Sequence, residues 1–253
     1  VDIIKGSTAS ETKLIRAIQR AVGANDDGEI GTQTMCDIAA ALGADCFPLT
    51  VEIYGAPVII ARNIVPFSPS APLAGWNNTI NGGFLSGRHP WSIMIQDGRV
   101  CREWSCHAKF NRPESVIFRR WDGSGGIMRT VSAAALGDNI RWAVGGMGLL
   151  DNYDPEAEGF CRLTADGKTE DYSDVLRRTA HTMLGFKRGY YYMVYCKSMT
   201  GKEVNAFAKK LGLEYAVMLD GGHLAAINGD EAFSKINIKE RQYYAIQGEY
   251  EKY

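Results

Sequence analysis

"TGKEVNAFAKKLGLEYAVMLDGGH", residues 200–223, decides the fold. Thr200-Gly201-Lys202-Glu203 has the form of a capping box, in which a Thr side chain and a Glu three residues later satisfy the free N–H groups of a helix start. Val204, Phe207, Ala208 and Leu211 then recur at i, i+3, i+4 and i+7, the period of an amphipathic helix. Gly212 ends it, and "YAVML" is apolar throughout, as a strand covered on both faces should be. Before the helix, "TMLGF", the turn "KRG" and "YYYMVYC" read as a strand pair, with Tyr190–Tyr192 divided between packing and surface. Strand, helix and strand predict a right-handed crossover between parallel neighbours. Ligands in such sheets sit beyond the carboxyl ends of strands. At that place the apolar run stops at Asp220-Gly221-Gly222-His223, an acid, two residues without side chains and an imidazole. Such a turn lets main chain and two polar side chains approach a ligand, although a tight turn with a solvated Asp is the simpler alternative.

Working towards the N-terminus, "WSIMIQDGRVCREW" (91–104) is a hairpin around Asp97-Gly98, the strongest two-residue turn signal. "SVIFRRW" to "IMRTV" forms a second, and "CRLTADGKTE" (161–170) a third. "VEIYG" and "VIIAR" are short strands, whereas "PFSPSAP" (66–72) reads as a surface loop. Residues 1–47 carry helical periods instead. Thr8-Ala9-Ser10-Glu11 fits a capping box, Leu14, Ile18 and Val22 share one face, and a second helix from about Thr32 turns Met35, Ile38, Ala39 and Leu42 inward. The expected fold is therefore α+β, or mixed α/β. A large mixed β-sheet domain over 48–253, with a β-α-β unit near its C-terminus, follows a small all-α module over 1–47.

Composition narrows the function. The 28 basic and 29 acidic residues nearly cancel, so no overall field draws the chain to nucleic acid or an anionic membrane. No apolar run approaches the 18 residues of a spanning helix. Cys36, Cys46, Cys101, Cys106, Cys161 and Cys196 form no CxxC pair, and the four histidines form no HExxH, which argues against a zinc cage. Three bridges remain open for the cysteines, with reduced, buried thiols the favoured reading. No cofactor is expected. "DNYDPEAEG" (151–159) is acidic enough for a structural calcium loop but lacks the EF-hand spacing, so a solvated loop is the preferred reading. Asn77-Asn78-Thr79 is a glycosylation sequon, uninformative without a secretory context.

Two resemblances add to this. "AIQRAVGANDDGEIGTQTMCDIAAALG" is similar to the peptidoglycan-binding domain family of small three-helix modules, through Gln19 and the D-G-x-x-G-x-x-T pattern from Asp27 to Thr34. The loop glycines supply positive φ, and Thr34 is placed to tie the loop to the helix. The resemblance implies peptidoglycan as a partner of residues 1–47. A helical hairpin acting only as a lid or interface is the alternative.

From residue 50 to 250, "NGGF" (81–84), Gly145-Gly146, "HTMLGF" (181–186) and "LDGGHLAAI" (219–227) resemble, in order and spacing, the phosphodiester glycosidase family. That family includes the lysosomal enzyme that removes N-acetylglucosamine from a sugar phosphodiester. The resemblance implies a hydrolase acting on a sugar-phosphate or glycan substrate. Asn81, Gly82, Gly83 and Phe84 would line one wall of the pocket, with Asp220, Gly221 and Gly222 on the other. His181 stands where the family has Arg, unless Arg178 takes that place, and His223 stands where it has a small residue. Asp220 would activate water or stabilise an oxocarbenium-like centre. Imidazoles, Arg178 or Gly-Gly N–H groups would hold phosphate. His181 and His223 acting as acid and base on a P–O bond is the rival enzyme, and a glycan binder without catalysis is the other. The pairing of modules points to an extracellular or wall-associated protein, or a phage protein acting inside a bacterium.

Overall fold

The computed structural model describes residues 4–5, 9–30, 34, 37–38, 41, 48–69, 71–163, 169–171, 175–230, 234–239 and 241–249. It is mostly β. A ten-stranded sheet is built on a meander: β1 (Leu49–Ile53), β2 (Ala56–Ala61), then, after intervening segments, β10 (Thr179–Lys187) and β11 (Tyr190–Met199). Between these in the chain come β3 (Asn63–Phe67), β4 (Thr79–Asn81), β5 (Met94–Gln96), β6 (Arg99–Arg102), β7 (Glu114–Arg120), β8 (Gly125–Thr130) and β9 (Ile140–Gly148). After β11 come the helix Gly201–Leu211, here α2, and then β12 (Tyr215–Gly221), β13 (Ile227–Asn228), β14 (Lys235–Ile236) and β15 (Ala245–Glu249). The large sheet runs β6-β5-β9-β12-β10-β11-β2-β1, with the β7–β8 hairpin branching from β9. A five-stranded sheet, β14-β13-β4-β15-β3, covers one of its faces. Ile64, Ile80, Ile227 and Ile246 of the small sheet, with Tyr244 just before β15, pack there against Leu184, Met193, Val217 and Leu219. On the other face α2 buries Val204, Phe207, Ala208 and Leu211 against Met183, Val194, Ala216 and Met218.

The local signals held where the chain is described. Thr200 caps α2 with both halves of the capping box in place, and Gly212 ends it in the left-handed region at φ +68. Asp97 and Gly98 turn with positive φ, as do Arg188 and Gly189 between β10 and β11. Cys161–Leu163 pairs with Thr169–Asp171, so the third hairpin exists.

Several expectations need correction, the all-α character of the N-terminal module among them, since Ile4–Lys5 pairs antiparallel with Glu29–Ile30. First, β11 and β12 are parallel but not neighbours, because β10 lies between them and is antiparallel to both. The tight β10–β11 hairpin takes one edge of β11 and β2 takes the other, so the returning β12 can join only the free edge of β10. Second, Pro66 and Phe67 belong to β3 rather than a loop; β3 is an edge strand paired only with β15, and an edge tolerates a residue without N–H. Third, Tyr190, Tyr191 and Tyr192 are all buried, since both faces of the sheet are covered. Fourth, Glu158 in the supposedly solvated stretch is 0% exposed. Cys106, Cys161 and Cys196 are free and buried, and Cys101 is free and exposed; Cys36 and Cys46 lie outside the described residues.

In the N-terminal module, α1 (Ala9–Ala21) buries Ile15 and Gln19, while Leu14 is 61% exposed, so the inward stripe lies one position round from the one expected. The reason is Gln19. Its Nε2 donates to Asp27 Oδ1 (2.7 Å), the Glu29 carbonyl (2.9 Å) and Thr34 Oγ1 (3.2 Å), while its Oε1 accepts from Gly28 N (2.9 Å). Thr34 does tie the loop back, donating to the Glu29 carbonyl at 3.3 Å. The Thr8 cap, and Met35, Ala39 and Leu42 of the second helix, lie outside the described residues. The module meets the main domain where Arg188 Nη1 donates to the Gly23 carbonyl at 3.3 Å. That is the β10–β11 turn, seven residues or about 23 Å of strand from His181.

Candidate active site

The order of strands brings the quoted motifs together. β12 ends where Gly221 pairs with His181 of β10, across an irregularity in register. From the small sheet, Asp220 N donates to the Gly82 carbonyl at 3.2 Å, and Gly82 N donates to the Tyr244 carbonyl at 2.8 Å. Asn81 fixes the junction. Its Nδ2 donates to the carbonyls of Asp220 (2.9 Å) and Gly82 (3.2 Å), and its Oδ1 accepts from Thr182 Oγ1 (3.0 Å) and Ala226 N (2.9 Å). Two donors and two acceptors exhaust a carboxamide, so buried Asn81 positions the wall rather than reaching out from it. Thr182 Oγ1 also lies 3.2 Å from the Asp220 carbonyl.

The remaining wall comes from β9. It pairs with β5 through Ala143 and Val144 and with β12 through Met147 and Gly148, leaving Gly145 and Gly146 between the two pairings. A Cβ on Gly83 would stand 2.5 Å from the Gly145 carbonyl. Phe84 is buried and packs against Phe160, ring centroids 4.9 Å apart.

The polar side chains divide sharply. Asp220 is half-buried, and its Oδ1 accepts from Gly221 N at 2.9 Å. His181 is 0% exposed, and burial lowers its pKa. Its Nε2 lies 3.1 Å from the Arg177 carbonyl, which can only accept, so the proton is on Nε2 and Nδ1 is bare. Nδ1 has no hydrogen-bond partner and faces Gly221, where a Cβ would lie 2.8 Å away. His223 is exposed, in the short turn Gly222–Leu224. No hydrogen bond joins the two imidazoles. Arg178 is engaged elsewhere, donating to the Ser198 carbonyl (3.0 Å) and to Glu203 Oε1 (2.5 Å) at the start of α2.

Behind the glycine walls lies a layer that sequence reasoning missed. Glu114 is fully buried. Its Oε1 accepts from Ile93 N (2.5 Å), and its Oε2 accepts from Cys106 N (3.3 Å) and Cys106 Sγ (3.0 Å). Cys106 Sγ is 3.2 Å from Ser92 Oγ, which accepts from Phe84 N. Glu158 accepts from Ser115 Oγ (2.6 Å), Gly148 N (2.8 Å) and Arg129 Nε (3.2 Å). Burial pushes both carboxyls up to about 7, against the pull of these hydrogen bonds. The two acids stitch β7, β9 and the loops beneath residues 81–84. One sequence signal existed, an acid opening the apolar "ESVIF", but it names no partner. Among the described residues, no three His, Cys, Asp or Glu side chains cluster as a metal site.

Gly145 carries the tightest demand. A Cβ there would stand 2.3 Å from Glu114 Oε1 and 2.9 Å from the main-chain N of Ile93. Gly145→Ala is therefore expected to destabilise by about 2 kcal/mol, the scale of an overpacked core, and to depress activity with it. A melting temperature equal to the native chain's contradicts this.

The chain shares its fold with a zebrafish N-acetylglucosamine-1-phosphodiester alpha-N-acetylglucosaminidase catalytic domain, auto-inhibited by pro-peptide, at a TM-score of 0.52 and 14% identity over 81% of this chain and 82% of that one. A hypothetical protein from Synechocystis aligns at a TM-score of 0.47 and 13% identity, over 79% of this chain and 60% of that one. No curated protein matches it. The phosphodiester glycosidase family model matches residues 74–242, more than half of the sequence and the whole of the motif set from Asn81 to His223, and so the chain belongs to the phosphodiester glycosidase family of hydrolases.

Proposed function

We propose that this hydrolase breaks the C1–O bond of a sugar-1-phosphate diester. The observation that carries the reading is the main-chain junction of Asn81–Gly83, Gly145-Gly146, Thr182 and Asp220–Gly222, which leaves one half-buried carboxylate at its centre. Water attacks C1, its proton passes to Asp220, and the bridging oxygen leaves with the phosphate and the bonding pair. Phosphate is a good leaving group, so the strong general acid of an ordinary glycosidase pair is not required. The Gly222 N–H and His223 receive the phosphate, since Gly221 N is held by Asp220 Oδ1 and Arg178 is committed to Glu203. The burial of His181, with no hydrogen bond to the exposed His223, favours this reading over an acid–base pair of the two imidazoles. Hydrolysis in ¹⁸O-labelled water is expected to put the label in the reducing sugar. Label in phosphate alone overturns the assignment in favour of P–O cleavage, and binding without turnover makes the chain a glycan-binding scaffold.

The same proposal assigns residues 1–47 to holding the enzyme on peptidoglycan, outside the cell, at the wall, or in a phage protein acting within a bacterium. The Gln19-centred loop supports it, and the Arg188–Gly23 contact, at the far end of β10 from His181, suits a tether better than a lid. A chain starting at Leu49 is expected to keep its turnover of small diesters and to stop sedimenting with purified cell walls. Undiminished sedimentation refutes the tether.

A further inference from the structure

Residues 99–112 read "RVCREWSCHAKFNR", with four basic side chains (Arg99, Arg102, Lys109, Arg112) against the single acid Glu103, in a chain whose net charge is −1. From Trp104 onward the segment is a loop with two unlike sides. Its inner side is Ser105, Cys106 and His107, all buried. Ser105 N donates to the Val131 carbonyl (2.9 Å) and its Oγ to the Arg112 carbonyl (2.7 Å), while His107 Nδ1 donates to the Glu158 carbonyl (2.9 Å). Cys106 reaches Ser92, and Ser92 reaches Phe84 N, so the loop is anchored beside the Asn81–Phe84 wall. Its outer side presents Trp104 and Phe110, 52% and 60% exposed, with Lys109 Nζ 4.7 Å above the Phe110 ring. Half-buried Trp91, edge-on to His107 at 5.2 Å, lies between loop and wall.

Two exposed aromatics on a rigidly anchored loop mark a contact surface, and the rigidity limits the entropy lost on binding. An apolar protein partner would want charges depleted at its core contacts, yet here a lysine sits on one aromatic and Arg102 Nε bonds to the Trp104 carbonyl at 3.2 Å. The pattern of flat apolar faces among cations suits sugar rings alternating with phosphates. The geometry points to this loop as the docking surface for the continuing chain of an anionic glycan, so that the natural substrate is a sugar-phosphate polymer rather than an isolated diester. This rests on the glycosidase reading of the neighbouring site.

The test compares the native chain with a Trp104→Ala/Phe110→Ala double variant, on poly(N-acetylmannosamine 1-phosphate) and on N-acetylglucosamine 1-(methyl phosphate). Both substituted side chains are exposed, and equal melting temperatures verify the fold. The expected result is a tenfold or greater rise in the variant's Kd for the polymer, with release of sugar from the small diester changed less than twofold. Lys109→Glu is expected to weaken polymer binding in the same direction, more at low salt than at high. Equal polymer Kd values in native and double-variant proteins overturn the inference, as does a native chain that binds a single-stranded oligonucleotide as tightly as the polymer. Failure to release sugar from the small diester refutes the hydrolase reading alone, because the polymer titration still decides the loop.

Discussion

An Asp220→Asn protein folds as the native chain does and turns over a sugar-1-phosphate diester about 10²-fold more slowly, or worse, the usual contribution of a general base. The carboxamide keeps an oxygen for Gly221 N, which Asp220 Oδ1 now holds at 2.9 Å. The main-chain ties of residue 220 to Gly82, Asn81 and Thr182 do not depend on its side chain. The substitution removes the charge and keeps the shape. Sugar release under saturating substrate, together with a thermal melt, separates the two effects, and near-native turnover in a well-folded variant returns Asp220 to the status of a turn acid.

Glu114 and Glu158 draw stability down as the pH rises from about 5 to about 8, against an opposite contribution from His107 and His181, whose pKa values burial lowers. Glu114 and Glu158 titrate near 7 in the folded chain, because burial disfavours their charged forms, against 4.5 for an unburied Glu. Between those values the folded state holds more protons than the unfolded one. Their contribution is complete below about 4.5 and is lost as the pH climbs through 7. A rise from 4.5 to about 7 corresponds to about 3 kcal/mol for each group, and the repulsion between the two acids couples their titrations. Urea unfolding at about pH 5.5, 7 and 8.5 measures the slope. Glu114→Gln is expected to remove part of the fall, and a pH dependence unchanged by that substitution contradicts the assignment.

What the sequence disclosed was what neighbours along the chain decide. The Thr200 capping box, the Asp97-Gly98 turn and the apolar run before Asp220 each need only a few adjacent residues, and each formed as expected. The glycine motifs were legible as a set because close main-chain approach demands glycine on both sides, as at Gly83 and Gly145. The misses share an opposite cause. Glu158 is buried by Ser115 and Arg129, 43 and 29 positions away, and nothing in "DNYDPEAEG" announces them. Arg178 looked available for phosphate until Glu203, 25 positions on, proved to hold it. The neighbour of β12 depended on which strand edges other hairpins had already taken.

The span of the ties at Asn81 has a consequence for timing during synthesis. Its carboxamide joins Thr182, 101 positions away, Asp220 at 139 and Ala226 at 145. Closing loops of that length costs entropy before any contact rewards it. On a ribosome, the junction around Asp220 cannot close until residue 226 has emerged, when the helix and every strand of the large sheet are already outside. A nascent or truncated chain thus carries the motifs without the constellation, and hydrolytic capacity arrives only with an almost finished domain.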